Sequence, residues 1–251
     1  MSPLPDEVAD TSKPLDRLAA VGPGPWVKPR MLPSKTHSGP VVISFWGKGG
    51  ATKTTASLML AGVASYLGLG VLVIDTDPQG SAALWRSRRG KDDIAVQTGR
   101  PDQLEGFLAR AQHGDFDLVL IDNAPAKNAY VSRVAALSDL SIILVRPSPF
   151  DLEIGRNWAR TFADSAVVVV ISAAPALRQG TASPLVRAAR EEMRLLGNRV
   201  WNHQLTSRHA VIECSRLGQT VIEADWRSAA SQDYIELWNS VLVELSRKVL
   251  K

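Results

Sequence analysis

Seven short, largely apolar runs, separated by longer stretches, constrain the fold of this chain more than any other feature. Continuous apolar runs are typical of parallel strands that helices cover on both faces. The stretches between them are long enough for right-handed helical crossovers. We therefore predict an α/β domain with a mostly parallel twisted sheet of about seven to eight strands and helices on both faces. The runs are Val41–Trp46, Val71–Asp75, Ile94–Gln97, Leu118–Asp122, Ser141–Arg146, Val167–Ser172 and Arg199–Gln204.

The two ends of the chain differ in character. Residues 1–39 are rich in proline, carry scattered charges and hold few large apolar side chains, so we predict a poorly ordered extension there. Residues 40–251 would then form one domain. Its last segment, Ala229–Leu250, has apolar residues at helical spacing, which indicates a packed terminal helix.

Composition excludes several classes of protein. No apolar run approaches the roughly 18 residues that a membrane span needs, and the N-terminus lacks a signal-like apolar core. We therefore expect a cytoplasmic protein. The single cysteine, Cys214, cannot form an internal disulfide or alone supply a metal site. The formal net charge of +4 permits a nucleic-acid partner without requiring one.

A glycine-rich loop between a strand and a helix carries the clearest chemistry. It reads Gly47-Lys48-Gly49-Gly50-Ala51-Thr52-Lys53-Thr54-Thr55. In such a loop, backbone N–H groups and the helix N-terminus bind phosphate. Lys53 would reach the β- and γ-phosphates, and the Thr54 hydroxyl would ligate Mg²⁺. One position departs from the general motif, because Thr52 stands where glycine is expected before the lysine.

The same loop resembles the KGGxGKTT motif of the ParA/MinD, or deviant Walker-A, ATPase superfamily. Lys48, Gly49, Gly50 and Lys53-Thr54-Thr55 carry that resemblance. It implies a P-loop NTPase domain that binds ATP through residues 47–55. It also implies that Lys48 reaches across a dimer interface to the partner's nucleotide, and hence a homodimer that forms on ATP binding.

Two further segments are similar to motifs of this family, in the same order. Asp75-Thr76-Asp77-Pro78-Gln79-Gly80 resembles its DxDPQG turn, which implies that Asp77 orients the attacking water. Phe116–Asp122 resembles its Walker B strand, which implies that Asp122 holds Mg²⁺, through water. The family usually continues with Thr-Pro-Pro, whereas this chain reads Asn123-Ala124-Pro125.

Two later segments resemble the family's base side, so that the likeness extends over about residues 40–245. Ser141–Leu152 is similar to a strand followed by a P-x-x-x-D loop beside the nucleotide, which implies a role for Pro147. Val168–Pro175 is similar to the strand next to adenine. Family members often have asparagine at the position of Ser172, which we expect to contact the base with one hydrogen bond instead of two.

Among branches of the family, the sequence is most similar to compact ParA plasmid-partition proteins. The leading extension is too short and proline-rich for a separate DNA-reading domain. The resemblance implies non-specific DNA binding through the C-terminal half, weak hydrolysis stimulated by a ParB-like or other small partner protein, and association with the nucleoid when ATP is bound. The candidate DNA-binding residues are Arg187, Arg190, Arg194, Arg199, Arg208, Arg216 and Arg227.

Other interpretations remain open. If Thr52 impairs the loop, the chain would be a non-catalytic ParA-like adaptor. A MinD-like membrane ATPase needs a lipid-binding terminal helix, but Leu242–Lys251 continues a packed pattern, so a membrane partner is not expected. An iron–sulfur reductase needs at least two cysteines per subunit, whereas this chain has only Cys214, so we do not expect that function. A bacterial tyrosine kinase needs a C-terminal tyrosine cluster that this chain lacks. The sequence does not identify the cargo. A plasmid is our first expectation, and a conjugation complex, a carboxysome or a chemoreceptor cluster is also compatible with an ATPase of this kind.

Overall fold

Six parallel strands form the centre of the molecule in a computed structural model, which describes residue 32 and residues 39–124, 129–162 and 165–249. The strands are β1 (Val41–Trp46), β2 (Val71–Asp75), β3 (Ile94–Thr98), β4 (Leu118–Asp122), β5 (Leu140–Val145) and β6 (Val167–Ile171). They pair in the order β3-β2-β4-β1-β5-β6, and every pairing is parallel. The prediction of an α/β fold with a parallel sheet is confirmed.

Helices cover both faces of this sheet. They are α1 (Lys53–Tyr66), α2 (Ser81–Arg88), α3 (Leu104–Gln112), α4 (Ala129–Leu137), α5 (Pro149–Thr161), α6 (Pro184–Met193), α7 (His209–Arg216), α8 (Val221–Asp225) and α9 (Ala229–Val249). Short 3₁₀ turns occur at Pro101–Gln103 and Arg194–Arg199. Helices α1, α2, α7, α8 and α9 pack into one apolar core, and α3, α4, α5 and α6 pack into the other.

The two cores follow from the alternation of side chains along each strand. In β1, Ile43 and Phe45 point into the core that contains α1, and Val42 and Trp46 point into the opposite core. Both faces are therefore covered, which explains why the strands are apolar at nearly every position. Helix α1 is buried along most of its length, because it lies between the sheet and helices α8 and α9.

The prediction of a seventh strand at Arg199–Gln204 is wrong for the described residues. This segment follows the edge strand β6 but pairs with it only at single points, where the Trp201 and Leu205 N–H groups donate to Val169 and Ile171. The chain bends between these points, at residues 202 and 203. The bend interrupts the ladder, so that the sheet contains six strands.

Helix α9 buries its apolar face in the core that it shares with α1. Ile235, Trp238 and Val241 are fully buried there, in agreement with the prediction of a packed terminal helix. No helix in the described ranges combines the length and the apolar character needed to cross a membrane. Nearly all of the predicted N-terminal extension lies outside the described residues, although Leu32 contacts the core that contains α1.

Candidate nucleotide site

The glycine-rich loop leaves β1 at the centre of the sheet and leads directly into α1. Gly47 has a φ of +155°, and a Cβ there would lie 2.6 Å from the Leu144 carbonyl oxygen of the neighbouring strand. Only glycine fits so close an approach. Gly50 has a φ of +80°, and the Ala51 N–H donates to the Lys48 carbonyl across the turn at 3.0 Å. The loop thus reverses direction sharply beside the first turn of α1.

Thr52 adopts the backbone conformation that a glycine would have at its position. Its φ of +64° and ψ of +26° are left-handed, and its carbonyl accepts the Ala56 N–H bond that starts α1. A β-branched residue with positive φ is rare, and such strain costs about 1–3 kcal/mol. The substitution for glycine therefore leaves the path of the loop intact and places strain at the entrance to the helix.

Lys53, in the first turn of α1, is a buried cation, with 7% of its surface exposed. Among the residues that the structure describes, no carboxylate forms an ion pair with it, although the Asp122 carboxylate is close enough for the two charges to interact. A buried ammonium without a bonded counter-ion is costly unless an anion approaches it. The position of Lys53 beside the loop therefore favours the binding of an anionic ligand.

Thr54 and Asp122 meet at the ends of α1 and β4. The Thr54 hydroxyl donates to Asp122 Oδ2 at 2.5 Å. Asp122 is fully buried, and its Oδ1 has no hydrogen-bond partner within the described part of the chain. Burial raises the pKa of the Asp122 carboxyl to about 7, while the bond from Thr54 opposes this shift and the charge of Asp75 reinforces it.

This hydroxyl–carboxylate pair fits Mg²⁺. The ion usually takes one or two protein ligands and completes its shell with water and substrate phosphates. Asp122 Oδ1, which has no hydrogen-bond partner among the described residues, could serve as one protein ligand, and the Thr54 hydroxyl lies beside the same carboxylate. No group of three or more metal-ligating His, Cys, Asp or Glu residues occurs in the described ranges, so a cage built of protein ligands alone is not present there.

The two acids of the turn after β2 have different environments. The Asp75 carboxylate accepts N–H bonds from Asp77 at 3.0 Å and from Ala82 at 2.9 Å, so it shapes the turn and starts α2. Asp77 is partly exposed, and its carboxylate accepts the Gln79 N–H at 3.0 Å. Asp75 is therefore structural, whereas Asp77 lines the cavity beside the loop.

Hydrogen bonds of the buried Asn123 side chain hold the segment that follows Asp122. The Asn123 amide donates to the Phe45 carbonyl at 3.1 Å and accepts the Tyr130 hydroxyl at 2.8 Å. The same hydroxyl contacts Thr76 Oγ1 at 3.2 Å. Asn123 thus links the ends of β1 and β4 to helix α4, while Pro125 lies outside the described residues. Neither Tyr130 nor this role of Asn123 was expected from the sequence.

Two adjoining cavities flank Thr52. The larger, of about 430 Å³, is lined by residues 49–50 and 52–55 of the loop, by Asp77 and by side chains of α2 that include Arg88. The smaller, of about 280 Å³, is lined by Ala173 and by apolar and polar residues of segment 205–212. Thr52, Thr55 and Ser215 border both cavities. An elongated ligand can therefore extend from one cavity into the other past Thr52.

Ser172 and Pro147 are buried and line neither cavity. The Ser172 hydroxyl donates to the Ala51 carbonyl at 3.0 Å, which ties the end of β6 to the loop. The structure therefore places Ser172 under the loop, and its contact with a base remains a prediction, as does the role of Pro147.

Lys48 is exposed and lies outside the buried group of loop residues. Its Nζ is 5.7 Å from the ring centroid of Phe150, a side chain that is 72% exposed. Beside it, Arg146 forms two bonds with the buried Asp151 carboxylate, at 3.0 and 3.2 Å. The Arg146 guanidinium also lies 3.5 Å from where a Gly50 Cβ would be.

Sequence reasoning missed Arg146. The available signal was an arginine at the end of a predicted strand, five residues before the aspartate of the P-x-x-x-D loop. The ion pair joins the end of β5 to the first turn of α5 and places the guanidinium close to Gly50.

The candidate DNA-binding arginines do not lie together. Arg187, Arg190 and Arg194 belong to α6 and the turn after it, on one side of the sheet, whereas Arg208 and Arg216 border α7, on the other side. Several have protein partners. Arg194, Arg208 and Arg216 pair with Glu191, Asp233 and Glu213, and Arg190 donates to the His203 carbonyl.

The other two candidates also have protein contacts. Arg199 donates to the Ala159 carbonyl at 3.1 Å, and the Arg227 guanidinium stacks 5.1 Å from the ring centroid of Trp226. DNA binding by any of the seven arginines stays a prediction.

The fold and the site together define a class of protein. A glycine-rich loop between a central parallel strand and a helix, with a buried lysine, and with a threonine bonded to an aspartate from the adjacent strand, is the arrangement of P-loop nucleotide-binding domains. Residues 42–230 match the family described as the CobQ/CobB/MinD/ParA nucleotide binding domain. The chain belongs to this family.

Curated relatives share part of the chain. The "Maintenance of carboxysome distribution protein A" of Gloeobacter kilaueensis is 35% identical over 118 residues, which are 45% of this chain and 52% of that protein. "Protein ParA" of Rhizobium radiobacter is 28% identical over 152 residues, 59% of this chain and 68% of that protein. The chain thus matches only about half the length of the carboxysome protein.

A solved structure shows the same fold over most of the chain. The ATP complex of a Cyanothece McdA variant superposes with a TM-score of 0.65 at 13% sequence identity, and the match covers 84% of this chain and 98% of that one. At this identity the likeness shows the fold alone.

Proposed function

We propose that this chain is an ATPase that dimerises when it binds ATP, binds DNA without sequence preference and positions a cargo, with a plasmid as the first candidate. The observation that carries the proposal is the buried Lys53 ammonium next to the Thr54–Asp122 bond, at a cavity of triphosphate size. Family membership supports nucleotide binding. The named functions of the two relatives, carboxysome distribution and ParA, support cargo positioning.

Each loop residue has a part in binding the triphosphate. The N–H groups of residues 49–53 and the N-terminus of α1 donate to phosphate oxygens, and Lys53 neutralises the β- and γ-phosphates. Thr54 and Asp122 hold Mg²⁺, Asp122 through a water molecule. When bound, the ion neutralises charge on the phosphate oxygens during transfer.

Asp77 is the residue that we assign to the attacking water. It borders the same cavity as Lys53, and only its Oδ1 accepts a bond within the turn, whereas both oxygens of Asp75 do so. A carboxylate at this place accepts a hydrogen bond from water and so orients it toward the γ-phosphate. Asp77 is only half-buried in the single subunit, so we expect hydrolysis to be weak before the dimer and its stimulating partner assemble.

Dimerisation would bury the rim of the site. Lys48 is exposed beside the loop, and the exposed apolar side chains Leu84 and Ile212 border the larger and smaller cavities. A second copy placed across this rim would remove these apolar groups from water and bring its own Lys48 to the nucleotide. ATP between the two copies would thus act as the switch.

DNA and cargo enter the cycle through the dimer. Binding to DNA phosphates needs cations and no base-specific contacts, so it would be sensitive to salt. A ParB-like or other small partner would stimulate hydrolysis and release the dimer from the nucleoid. Repeated release and rebinding would move the cargo.

The test is ATP-dependent DNA binding by the full chain and by its Lys48→Ala and Lys53→Ala variants. We expect the wild-type protein to retain DNA only with Mg-ATP, Lys53→Ala to lose nucleotide binding, and Lys48→Ala to bind ATP but stay monomeric. DNA retention that is independent of ATP would contradict the proposal.

A non-catalytic adaptor is the second candidate, because the strained Thr52 stands at the loop position where glycine is expected. Steady-state ATP hydrolysis, measured with and without DNA, separates the two. An adaptor would bind the nucleotide or a partner protein and would show no turnover under any of these conditions.

A further inference from the structure

The backbone of Thr52 is strained, and no contact of its side chain with the described residues offsets the cost of that strain. Its side chain makes no capping bond to α1, and within the described part of the chain no protein group bonds to its hydroxyl. Glycine at this position would adopt the same φ of +64° without steric cost. Strained residues persist where the surrounding structure holds them in place, and they cluster at sites of binding.

The surroundings do hold Thr52 in place. The carbonyl of the preceding residue, Ala51, accepts the buried Ser172 hydroxyl, and the carbonyl of Thr52 itself accepts the Ala56 N–H. The peptides on both sides of Thr52 are thus fixed, and its side chain has a defined direction. The residue is half-buried and lines both cavities, so it is in contact with the space that a ligand would fill.

The two cavities are lined by different kinds of residue and therefore suit different parts of a nucleotide. The larger one is lined by the loop, Lys53 and Asp77, which suit a phosphate chain. The smaller one is walled by apolar and aromatic side chains such as Leu205, Val211 and Tyr234, which suit a flat base. A nucleotide that fills both must place its ribose, which joins the phosphate chain to the base, next to Thr52.

We propose that Thr52 is a specificity-determining residue, whose hydroxyl bonds to an oxygen of the ribose ring or its hydroxyl groups. This inference rests on the proposed nucleotide site. The contact distinguishes a nucleoside triphosphate from a bare polyphosphate, because the latter has no group that continues into the smaller cavity. Replacement of Thr52 by glycine removes the strain and the contact together.

Stability and affinity therefore change in opposite directions. In the free protein, Thr52→Gly relieves the left-handed strain, so its melting temperature rises. In the complex it lacks the hydroxyl, so Mg-ATP binds at least fivefold more weakly. If the Thr52 side chain made no contact with the nucleotide, Thr52→Gly would bind Mg-ATP as tightly as the wild-type protein or more tightly, because its loop is relaxed.

The experiment uses the full chain with Gly, Ser and Val at position 52. Calorimetric titration measures affinity for Mg-ATP and for magnesium-complexed inorganic tripolyphosphate, and thermal melting without ligand measures stability. We expect Thr52→Ser to bind ATP like the wild-type protein. Thr52→Val keeps the branched shape without the hydroxyl, so we expect it to bind ATP as weakly as Thr52→Gly. Affinity for tripolyphosphate stays the same in all four proteins.

Two results overturn the inference. Equal or tighter ATP binding by Thr52→Gly removes the role of the side chain, and ATP binding by Thr52→Val at wild-type strength removes the role of the hydroxyl. Lys53→Ala is the control for the site itself. If the wild-type protein binds no Mg-ATP, the proposed function fails together with the inference. If it binds Mg-ATP and the Thr52 variants bind it equally well, the inference alone fails.

Discussion

The phosphate loop and the arginines of the C-terminal half are both rich in charge, but the fold treats them differently. Around the loop, groups from three parts of the chain converge: Lys53 and Thr54 from α1, Asp122 from β4 and Asp77 from the turn after β2. The five arginines at 187, 190, 194, 208 and 216 instead divide between the two helical layers.

The difference lies in what fixes each position. Parallel strands all end at one edge of the sheet, so polar residues at their carboxyl ends must meet there. Arginines on surface helices have no such constraint, and most of those here contact an acid or a carbonyl close in sequence. Single substitutions at the loop should therefore have large effects, and those at the arginines small ones.

The largest expected effect is that of Lys53→Ala. Removal of the buried ammonium should weaken Mg-ATP binding by roughly 100-fold or more, equivalent to about 3 kcal/mol, because charge-assisted bonds to phosphate are lost. Calorimetric titration measures this. Lys91→Ala, which removes an exposed lysine just beyond the far end of α2, is the charge-matched control and should leave the affinity unchanged. Similar losses in both variants would show that the effect is only one of net charge.

Glu223→Gln tests the buried arginine Arg89 as a contrast to the exposed ones. Burial alone would raise the pKa of the Glu223 carboxyl, but hydrogen bonds from Arg89, Thr220 and Lys91 lower the pKa to about 2. The pKa lies below its ordinary value, so the stabilisation is full above about pH 4.5 and is lost as the pH falls toward 2. We expect Glu223→Gln to reduce the unfolding free energy at pH 7 by about 2–3 kcal/mol in urea titrations.

The control for this variant is Glu191→Gln, which breaks the exposed pair with Arg194. It should change stability little, since exposed ion pairs are screened by solvent. The two variants should also differ in acid. The unfolding free energy of the wild-type protein falls between pH 4.5 and 2; this fall should be smaller in Glu223→Gln and unchanged in Glu191→Gln. Equal effects of the two would contradict the distinction between buried and exposed arginines.

Arg208→Ala is expected to act on nucleotide binding. Arg208 lines the smaller cavity and pairs with Asp233 at 3.0 and 3.2 Å. Its loss leaves the Asp233 carboxylate without its cation near the cavity that we assign to the base. The uncompensated charge repels the phosphates of the same ligand, so ATP affinity should fall roughly threefold to tenfold. Arg216→Ala, at the other end of α7, removes an exposed arginine paired with Glu213 and serves as the matched control. A loss of DNA binding with unchanged ATP affinity would place Arg208 on the DNA face instead.

The smallest effect is expected for single arginines on DNA. Arg187 is exposed, and its only partner among the described residues is the Ala182 carbonyl, so it is free to contact phosphate. Arg187→Ala should lower the slope of log affinity against log salt by about 0.9, the value for one phosphate contact. Arg216→Ala, already paired with Glu213, should change the slope less. Fluorescence anisotropy at several salt concentrations measures both, and the opposite order would assign the DNA face to the α7 side.

Much of the fold and the centre of the site could be predicted from local pattern. The bounds of β1, β2 and β4 coincide with the predicted runs, because these strands are buried on both faces and therefore apolar at nearly every position. The loop was recognisable because strand, glycines, lysine and threonine occur in an order that only one geometry satisfies. The proximity of Asp122 to Thr54 followed from the position of the aspartate at a strand end.

What could not be predicted depends on contacts between distant segments. The run Arg199–Gln204 has a strand-like pattern, but a bend limits it to isolated bridges with β6. The hydroxyl of Ser172 could face a base or the loop, and only the position of Ala51 decides between them. Arg146 gains its place from a pair with Asp151, which follows it by five residues.

The attachment of α2 limits how the Asp77 turn can move. At its far end, Trp85, Arg88 and Arg89 donate to the backbone carbonyls of Gln219, Arg216 and Gly218. At its near end, the Asp75 carboxylate accepts the Asp77 and Ala82 N–H groups, so both ends of α2 are held. The acid that borders the phosphate loop therefore lies on a turn that is fixed between the end of β2 and the region of α7 and α8, and the turn can shift only if one of these attachments breaks.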